Sequence, residues 1–450
     1  MTTYAEFIER KSALAPMVGI EVPDEAINPM LFPFQRDLTR WALRKGRSAI
    51  FADCGLGKSF MQIEWAQHID GRTLILAPLS VAQQTVGEAA KLGYQEVTYA
   101  RSGADTNARI VVTNYEMLAH FDPADFAAVV LDESSILKSL DGKTRERLIE
   151  TFADTPFRLC CTATPAPNDI SEFANHAEFL GICSREEMLA TYFVHDDEGW
   201  RIKGHAREPF FRWLASWGMS LAKPSDLGYS DDGYNLPPLE ILSAIVHTEF
   251  VPDGQLFATD LKGVGHRAKV RRGTVDARVE TAVDLIRSEP DRQWIAWCGL
   301  NDESSSIARE LGDEAIEVEG SQSPEEKTAR IQAFLRGEKR VLVTKPRIAG
   351  FGMNFQNASR QVFVGLSDSY ETYYQCIRRS WRFGQDDGVQ VHIVLSDLEQ
   401  PIYENVLAKE REAHDSHEAL IRIAAENEGA EIGNVSGTWV AYEQDDRYVT

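Results

Sequence analysis

Cysteine is scarce in this 450-residue chain: six residues, at 54, 160, 161, 183, 298 and 376. None forms a C-x-x-C pair, the usual sequence sign of a zinc site or a redox dithiol. Cys160-Cys161 lie inside an apolar run, so structural thiols are expected in place of disulfides or metal ligands. Bases are also in short supply, 47 Lys and Arg against 69 Asp and Glu, for a net charge of −22. That balance argues against a protein that coats nucleic acid by bulk attraction, while leaving room for a local basic groove. No apolar run approaches the ~18 residues a spanning helix needs. The first ten residues, Met1 to Arg10, lack the basic region and apolar stretch of a secretory signal, and a cytoplasmic protein is expected. Internal short repeats and low-complexity tracts are lacking too.

The composition that remains, 43% apolar and 26% charged, is that of a soluble globular protein with roughly two or three domains. Short apolar runs recur at Thr73–Ala77, Val97–Tyr99, Ile110–Thr113, Val129–Leu131 and Arg158–Thr162, separated by helical stretches. A second series follows at Gln293–Cys298, Ala315–Val318, Val341–Thr344, Gln361–Val364 and Gln390–Leu395. This rhythm predicts an α/β fold of two lobes, each a parallel sheet flanked by helices. The expected organisation is a leader over 1–29, a first lobe over 30–172, a helical insert and linker over 173–240, a second lobe over 241–410 and an acidic tail over 411–450. From Arg411 to Thr450 there are nine acids and three bases, whereas Leu261 to Val275 carries five bases and no acid. The basic stretch Lys262–Arg272 is therefore a candidate DNA-contacting loop or, equally simply, a solvated linker.

Between Ile50 and Ser59 an apolar run breaks into glycines and ends on lysine and a hydroxyl, the order strand, phosphate loop, helix start. Asp53, Cys54, Gly55, Leu56 and Gly57 would turn backbone N–H groups inward, Lys58 would reach the β- and γ-phosphates, and Ser59 would ligate Mg²⁺. Ala52 stands where the general signature has its first glycine. Val129-Val130-Leu131-Asp132-Glu133 ends a second apolar strand on two carboxylates: Asp132 suits a magnesium ligand and Glu133 a residue that polarises attacking water. A solubilising turn is the plain alternative. Thr162-Ala163-Thr164, leaving another strand, could sense the phosphate site or simply cap a turn before Pro165. Gln35, ahead of the loop strand, can read an adenine edge or face solvent. Ala77-Pro78-Leu79-Ser80 and Asn114-Tyr115-Glu116 offer hydroxyls and amides to phosphodiester oxygens.

In the second half, Gln375 to Gln385 contains Arg378, Arg379 and Arg382 interleaved with Trp381 and Phe383. Arg379 and Arg382, three apart, would share one face of a helical segment and reach one phosphate chain together, the arginine-finger role. Arg378 would point elsewhere, toward nucleic acid or an acidic partner. Upstream, Gly350-Phe351-Gly352-Met353-Asn354 makes a second glycine-rich helix start where Gly352 would meet phosphate and Asn354 would brace the loop.

Taken in this order, the phosphate loop, acid pair, Thr-Ala-Thr, Gly350-x-Gly352-x-Asn354 and Gln375-x-x-x-Arg379-x-x-Arg382-x-Gly384-Gln385 resemble the superfamily 2 helicases (DEAD/DEAH-box type). The chain is most similar to the Swi/Snf-type DNA translocases and their phage and bacterial relatives. The resemblance covers about residues 30 to 400. It implies two tandem RecA-like lobes binding ATP and Mg²⁺, with Lys58, Ser59, Asp132 and Glu133 on one side, Arg379, Arg382, Gly352 and Gln375 on the other, and Gln35 at the adenine. The implied partner is DNA, duplex favoured, with single-stranded DNA or RNA open and a protein partner for the acidic tail. Ser134-Ser135 after the acid pair and Ile377-Arg378 in the last motif depart from the family pattern. The expected activity is an ATP-driven translocase. The alternatives are a strand-separating helicase, for which the aromatics Trp200, Phe210, Phe211, Trp213 and Trp217 could supply a wedge unless they form a core face, and an ATP-gated switch or scaffold.

Overall fold

The computed structural model describes residues 14–138, 142–196, 199–247, 271–349 and 353–432. The described residues divide into two compact units, 14–234 with 411–432, and 235–410. Each is built on one parallel sheet.

In the first unit, strands β1 (Arg47–Ala52), β2 (Thr73–Ala77), β3 (Val97–Tyr99), β4 (Ile110–Asn114), β5 (Ala128–Asp132), β6 (Phe157–Cys161) and β9 (Gly218–Leu221) lie in the order β3-β4-β2-β5-β6-β1-β9. All neighbours pair in parallel, for example Ala128 opposite Phe157 and Arg47 opposite Arg158. β2, β4 and β5 are buried at every position, which is why their sequences are near-continuous apolar runs: helices cover both faces of the sheet. The antiparallel pair β7 (Phe193–Asp196) and β8 (Gly199–Ile202) forms a separate small ribbon.

Residues 173–234 do not form the separate helical insert that the sequence suggests. They belong to the first unit, and β9 extends its sheet beside β1, with Ala49 opposite Gly218. The aromatics of this region are core residues. Phe210 packs edge-on against Phe173 and Phe193, Trp213 against Trp217, and Phe210, Phe211 and Trp217 are all but fully buried. Only Trp200 stays partly exposed, on β8 against His195. A strand-separating wedge from the buried rings is thereby ruled out.

The second sheet joins β10 (Leu239–Val246), β11 (Trp294–Cys298), β12 (Ala315–Val318), β13 (Val341–Thr344), β14 (Arg360–Val364) and β15 (Val389–Ser396) in the order β10-β15-β14-β11-β13-β12, again all parallel. β10 is an edge strand with alternating burial. Behind the strand ends, Arg278 is fully buried and bonds Glu303 at 2.6 Å, with Glu399 at 3.5 Å. Arg271, from the basic stretch expected to touch DNA, pairs instead with Glu399 at 3.4 Å, and Lys262–Val270 lie outside the described residues.

The acidic tail expected from residue 411 is, through residue 432, the second half of one long helix, Gln400–Ile432. Leu420, Ile423 and Ala424 enter the core of the first unit, and His417 Nδ1 lies 2.6 Å from Ser220 Oγ on β9. Apolar residues three and four apart make one buried stripe that the surrounding charges hide in a composition count. Residues 433–450 lie outside the described residues. Among the described residues no helix is long and apolar enough to cross a membrane.

Candidate nucleotide site and the arginine segment

In the first unit three functional strands end side by side. β1 runs into Asp53–Gly57, β5 into Asp132-Glu133, and β6, which lies between them, into Thr162. A ligand crevice is expected at the carboxyl edge of such a sheet, where the connections diverge. The phosphate loop is shaped by backbone conformation: Gly55 and Gly57 are left-handed, at φ 90° and 80°, and Gly57 leads into the helix Lys58–His68. Ala52 lies inside β1 in regular pairing with β9, so this position needs no glycine. Asp53 N–H donates to Leu221 O on β9 at 2.8 Å, and Cys54 N–H donates to Asp53 Oδ1 at 2.5 Å. Lys58 Nζ folds onto the loop's own carbonyls, donating to Ala52 O at 2.9 Å and Asp53 O at 3.3 Å. Ser59 follows as the second residue of the helix.

Gln35 is buried and joins the helix Pro33–Lys45 to the loop. Its Nε2 donates to Leu56 O at 2.9 Å and its Oε1 accepts from Phe32 N–H at 3.0 Å. A side chain on Gly57 would collide with the Gln35 amide, so the loop glycine serves this contact as well as its own turn. The solvent-facing reading of Gln35 is excluded.

Asp132 is buried, and its Oδ1 accepts from Gln62 Nε2 at 2.7 Å, a residue one turn into the phosphate-loop helix. Burial, and Glu133 beside it, raise the Asp132 carboxyl above its ordinary value, while Gln62 and the Lys58 charge act in the opposite sense. Lys58 and Asp132 are therefore electrostatic neighbours although 74 positions apart, as the two numbers give. Glu133 has φ 52°, the only non-glycine residue with positive φ among the described residues. This costs about 1–2 kcal/mol and marks a backbone held against its preference. Glu133 Oε2 accepts from Thr162 Oγ1 at 3.3 Å, and Thr162 Oγ1 accepts from Thr164 N–H at 3.1 Å, so Thr-Ala-Thr is wired to the acid. Ser134 Oγ lies 3.1 Å from His176 Nε2, and burial lowers the His176 pKa to about 4. Tyr115 Oη donates to Asp132 O at 2.7 Å.

Two carboxylates at one strand end, a hydroxyl at Ser59 and a lysine on a glycine-turned loop are the kinds of donor a magnesium–nucleotide site uses, while the N–H groups of Asp53, Cys54 and Leu56 bond Leu221 O, the Asp53 carboxylate and Asp53 O. The residues present fit that group.

In the second unit the helix Tyr370–Ser380 stops at Ser380. Trp381 is its cap, with φ −84° and ψ 85°, and Arg382 lies beyond in the turn. Arg379 and Arg382 therefore do not share a helical face, contrary to their spacing. The helix end is set from a distance, by Trp381 Nε1 donating to Pro237 O at 2.7 Å. Arg379 is buried and its guanidinium is spent within the unit: Nη2 donates to Gln375 Oε1 at 2.6 Å, Nη1 to Met353 O at 3.1 Å and Nε to Gln375 O at 3.0 Å. Gln375 is likewise buried. Arg378 does not reach outward either: its guanidinium lies 4.4 Å from the centre of the Trp381 ring and 5.3 Å from that of Tyr374. Gln385 Nε2 donates to Gln356 O and Ser380 O, and Gln356 Nε2 to Phe383 O, which clamps the turn to the loop after Asn354. Gly384, at φ 83°, is needed there, because a Cβ would meet Gln356 Nε2 at 2.6 Å. Asn354 Oδ1 accepts from Gln356 N–H at 3.2 Å, on the side away from the glycines it was expected to brace. Gly350 and Gly352 lie outside the described residues.

Residues 277–384 match the helicase conserved C-terminal domain. The match runs from the helix Val275–Ser288 to the Gly384 turn, so it contains Gln375, Arg379 and Arg382. It supports a helicase of superfamily 1 or 2, a group that generally hydrolyses ATP with Mg²⁺ and acts on nucleic acid, and it makes the second unit RecA-like. No curated protein matches the chain.

Gln62, His176 and Gln356 carry much of the bonding around these motifs without being among the expected site residues, and Tyr115, expected at phosphodiester oxygens, bonds Asp132 O. Gln62 could have been found by its spacing, four residues after Lys58 on the same helical face; the other three meet their partners through tertiary contacts alone.

Proposed function

We propose that the chain is an ATP-driven motor of the Swi/Snf-like type that tracks along double-stranded DNA. The observation that carries this reading is the convergence of Lys58, Asp132 and Glu133 at the carboxyl ends of β1 and β5, one strand apart in one sheet, in a chain whose other unit matches the helicase C-terminal domain. Lys58 would leave its loop carbonyls to bind the phosphates, Gln35 would meet the base, and Ser59 and Asp132 would hold Mg²⁺, which when bound offsets phosphate charge. Glu133 orients a water and accepts its proton at a carboxylate oxygen. Arg382, supplied by the second unit, stabilises charge developing on the transferred phosphoryl group. Arg379 holds the segment that presents it. Nucleic acid contacts the strand ends at Leu79, Gln84, Asn114 and Glu116, through amides and helix-start N–H groups.

The test is ATP hydrolysis measured without polymer and with single-stranded DNA, duplex DNA or RNA, followed by triplex displacement with the best activator. Duplex stimulation with triplex displacement and no unwinding is expected. Stimulation with unwinding would make the protein a strand separator, and hydrolysis indifferent to every polymer would leave an ATP-gated switch.

A further inference from the structure

Glu133 must aim a carboxylate from a backbone that L-residues avoid, so something rigid has to hold the peptide that precedes it. The Asp132 carboxylate is fixed by Gln62, and Ser134 is fixed by His176. These ties secure side chains on either side of the unusual residue. The Asp132 carbonyl, one end of the peptide that joins the two acids, is bonded by Tyr115 Oη at 2.7 Å. Rotation of that peptide is what would relax φ of Glu133, and the tyrosine hydroxyl opposes it directly.

The origin of Tyr115 gives the contact a second meaning. Tyr115 heads the 3₁₀ segment Tyr115–His120 at the carboxyl end of β4. The sheet order places β2 between β4 and β5, so the hydroxyl reaches past one strand end to the acids. Of its sequence neighbours, Asn114 is buried and accepts from Tyr99 Oη at 3.1 Å, while its amide nitrogen meets the carboxylate of the exposed Glu116. A polyanionic polymer that repelled the exposed Glu116 carboxylate would break that bond and shift the segment that carries Tyr115.

We propose that Tyr115 is a positioning residue, whose hydroxyl holds the Asp132–Glu133 peptide in the left-handed geometry that aims Glu133 and makes that aim respond to nucleic acid at the end of β4. The proposal rests on the motor reading above. It adds a path from the polymer-facing edge to the acid that does not pass through the nucleotide.

The full-length Tyr115→Phe variant removes only the hydroxyl. Its polymer-stimulated kcat falls about tenfold, the effect of one well-placed hydrogen bond, basal hydrolysis falls with it by a smaller factor, and KM for ATP stays within about twofold. In its crystal structure Glu133 leaves the positive-φ region. Undiminished stimulation would overturn the proposal, as would a raised KM with intact kcat or a variant structure that keeps Glu133 at positive φ. A wild-type protein that fails to hydrolyse ATP with any polymer would sink the motor reading instead, and the variant's crystal structure would still decide the role of the hydroxyl.

Discussion

The two units carry charge at the carboxyl ends of similar parallel sheets and use it in opposite ways. In the first, Lys58, Asp132 and Glu133 are held by neutral partners: two carbonyls, the Gln62 amide and the Thr162 hydroxyl. In the second, Arg271 and Arg278 are neutralised by Glu303 and Glu399. A charge restrained by neutral groups keeps its interaction for a ligand, whereas one matched by counter-charge has already committed it to the fold. Charge density along the chain does not distinguish these states. The inventory of partners does.

The strongest way to break this contrast is to remove the restrained charges. Lys58→Ala and Glu133→Gln should each lower kcat by on the order of 10³-fold or more, measured by phosphate release with the activating polymer. Glu133→Gln should still retain ATP, since its amide preserves shape and loses only the base. Turnover at the wild-type rate in either variant would remove the assignment of the first unit's site.

The arginines sharpen the comparison within one segment. Arg382→Ala should reduce kcat on the order of 10³-fold, as loss of an arginine finger does, with little change in ATP affinity or in the urea midpoint. Arg379→Ala should act on the fold, costing about 3 kcal/mol because buried acceptors on Gln375 and Met353 lose a charged donor. Denaturant unfolding followed by the tryptophans reads that loss. An Arg379→Ala protein with wild-type stability and no turnover would reverse the two roles.

What the sequence disclosed follows the same physics. β2, β5 and β13 were legible because strands buried on both faces must be apolar throughout, and the phosphate loop because its left-handed turns at 55 and 57 demand glycine. β9 was hidden: Gly218-Met219-Ser220-Leu221 is short and follows an aromatic helix, so nothing local marks it as the partner of β1. β10 was hidden by Pro237-Pro238 and by the mixed pattern of an edge. The face shared by Arg379 and Arg382 failed because the helix end depends on Trp381 reaching Pro237, 144 positions away. Periodicity reports a helix only while the helix lasts. The docking of Leu420 and Ile423 into the first unit is equally non-local.

The smallest effect tests how dry the first unit is behind its acids. His176 is buried against the Phe51 ring, with centroids 5.4 Å apart, and its pKa is lowered to about 4 because burial disfavours the imidazolium. The unfolded chain titrates this group near 6.5. Between those values the unfolded state binds more protons than the folded one, so the His176 contribution leaves stability unchanged above about pH 6.5 and lowers it as pH falls toward 4, by at most about 1.4 kcal/mol per pH unit. Other titrating groups add their own slopes, and the informative quantity is the difference between wild type and His176→Gln, which keeps an amide for Ser134. Whatever that difference is at pH 7.5, it should shift by about 1.3 kcal/mol in the variant's favour at pH 5.5, read from urea midpoints at the two pH values. A difference independent of pH would mean that the folded protein admits a proton to His176, and with it water behind Ser134; the neutral restraint that separates the first unit from the second would then not extend past the acid pair.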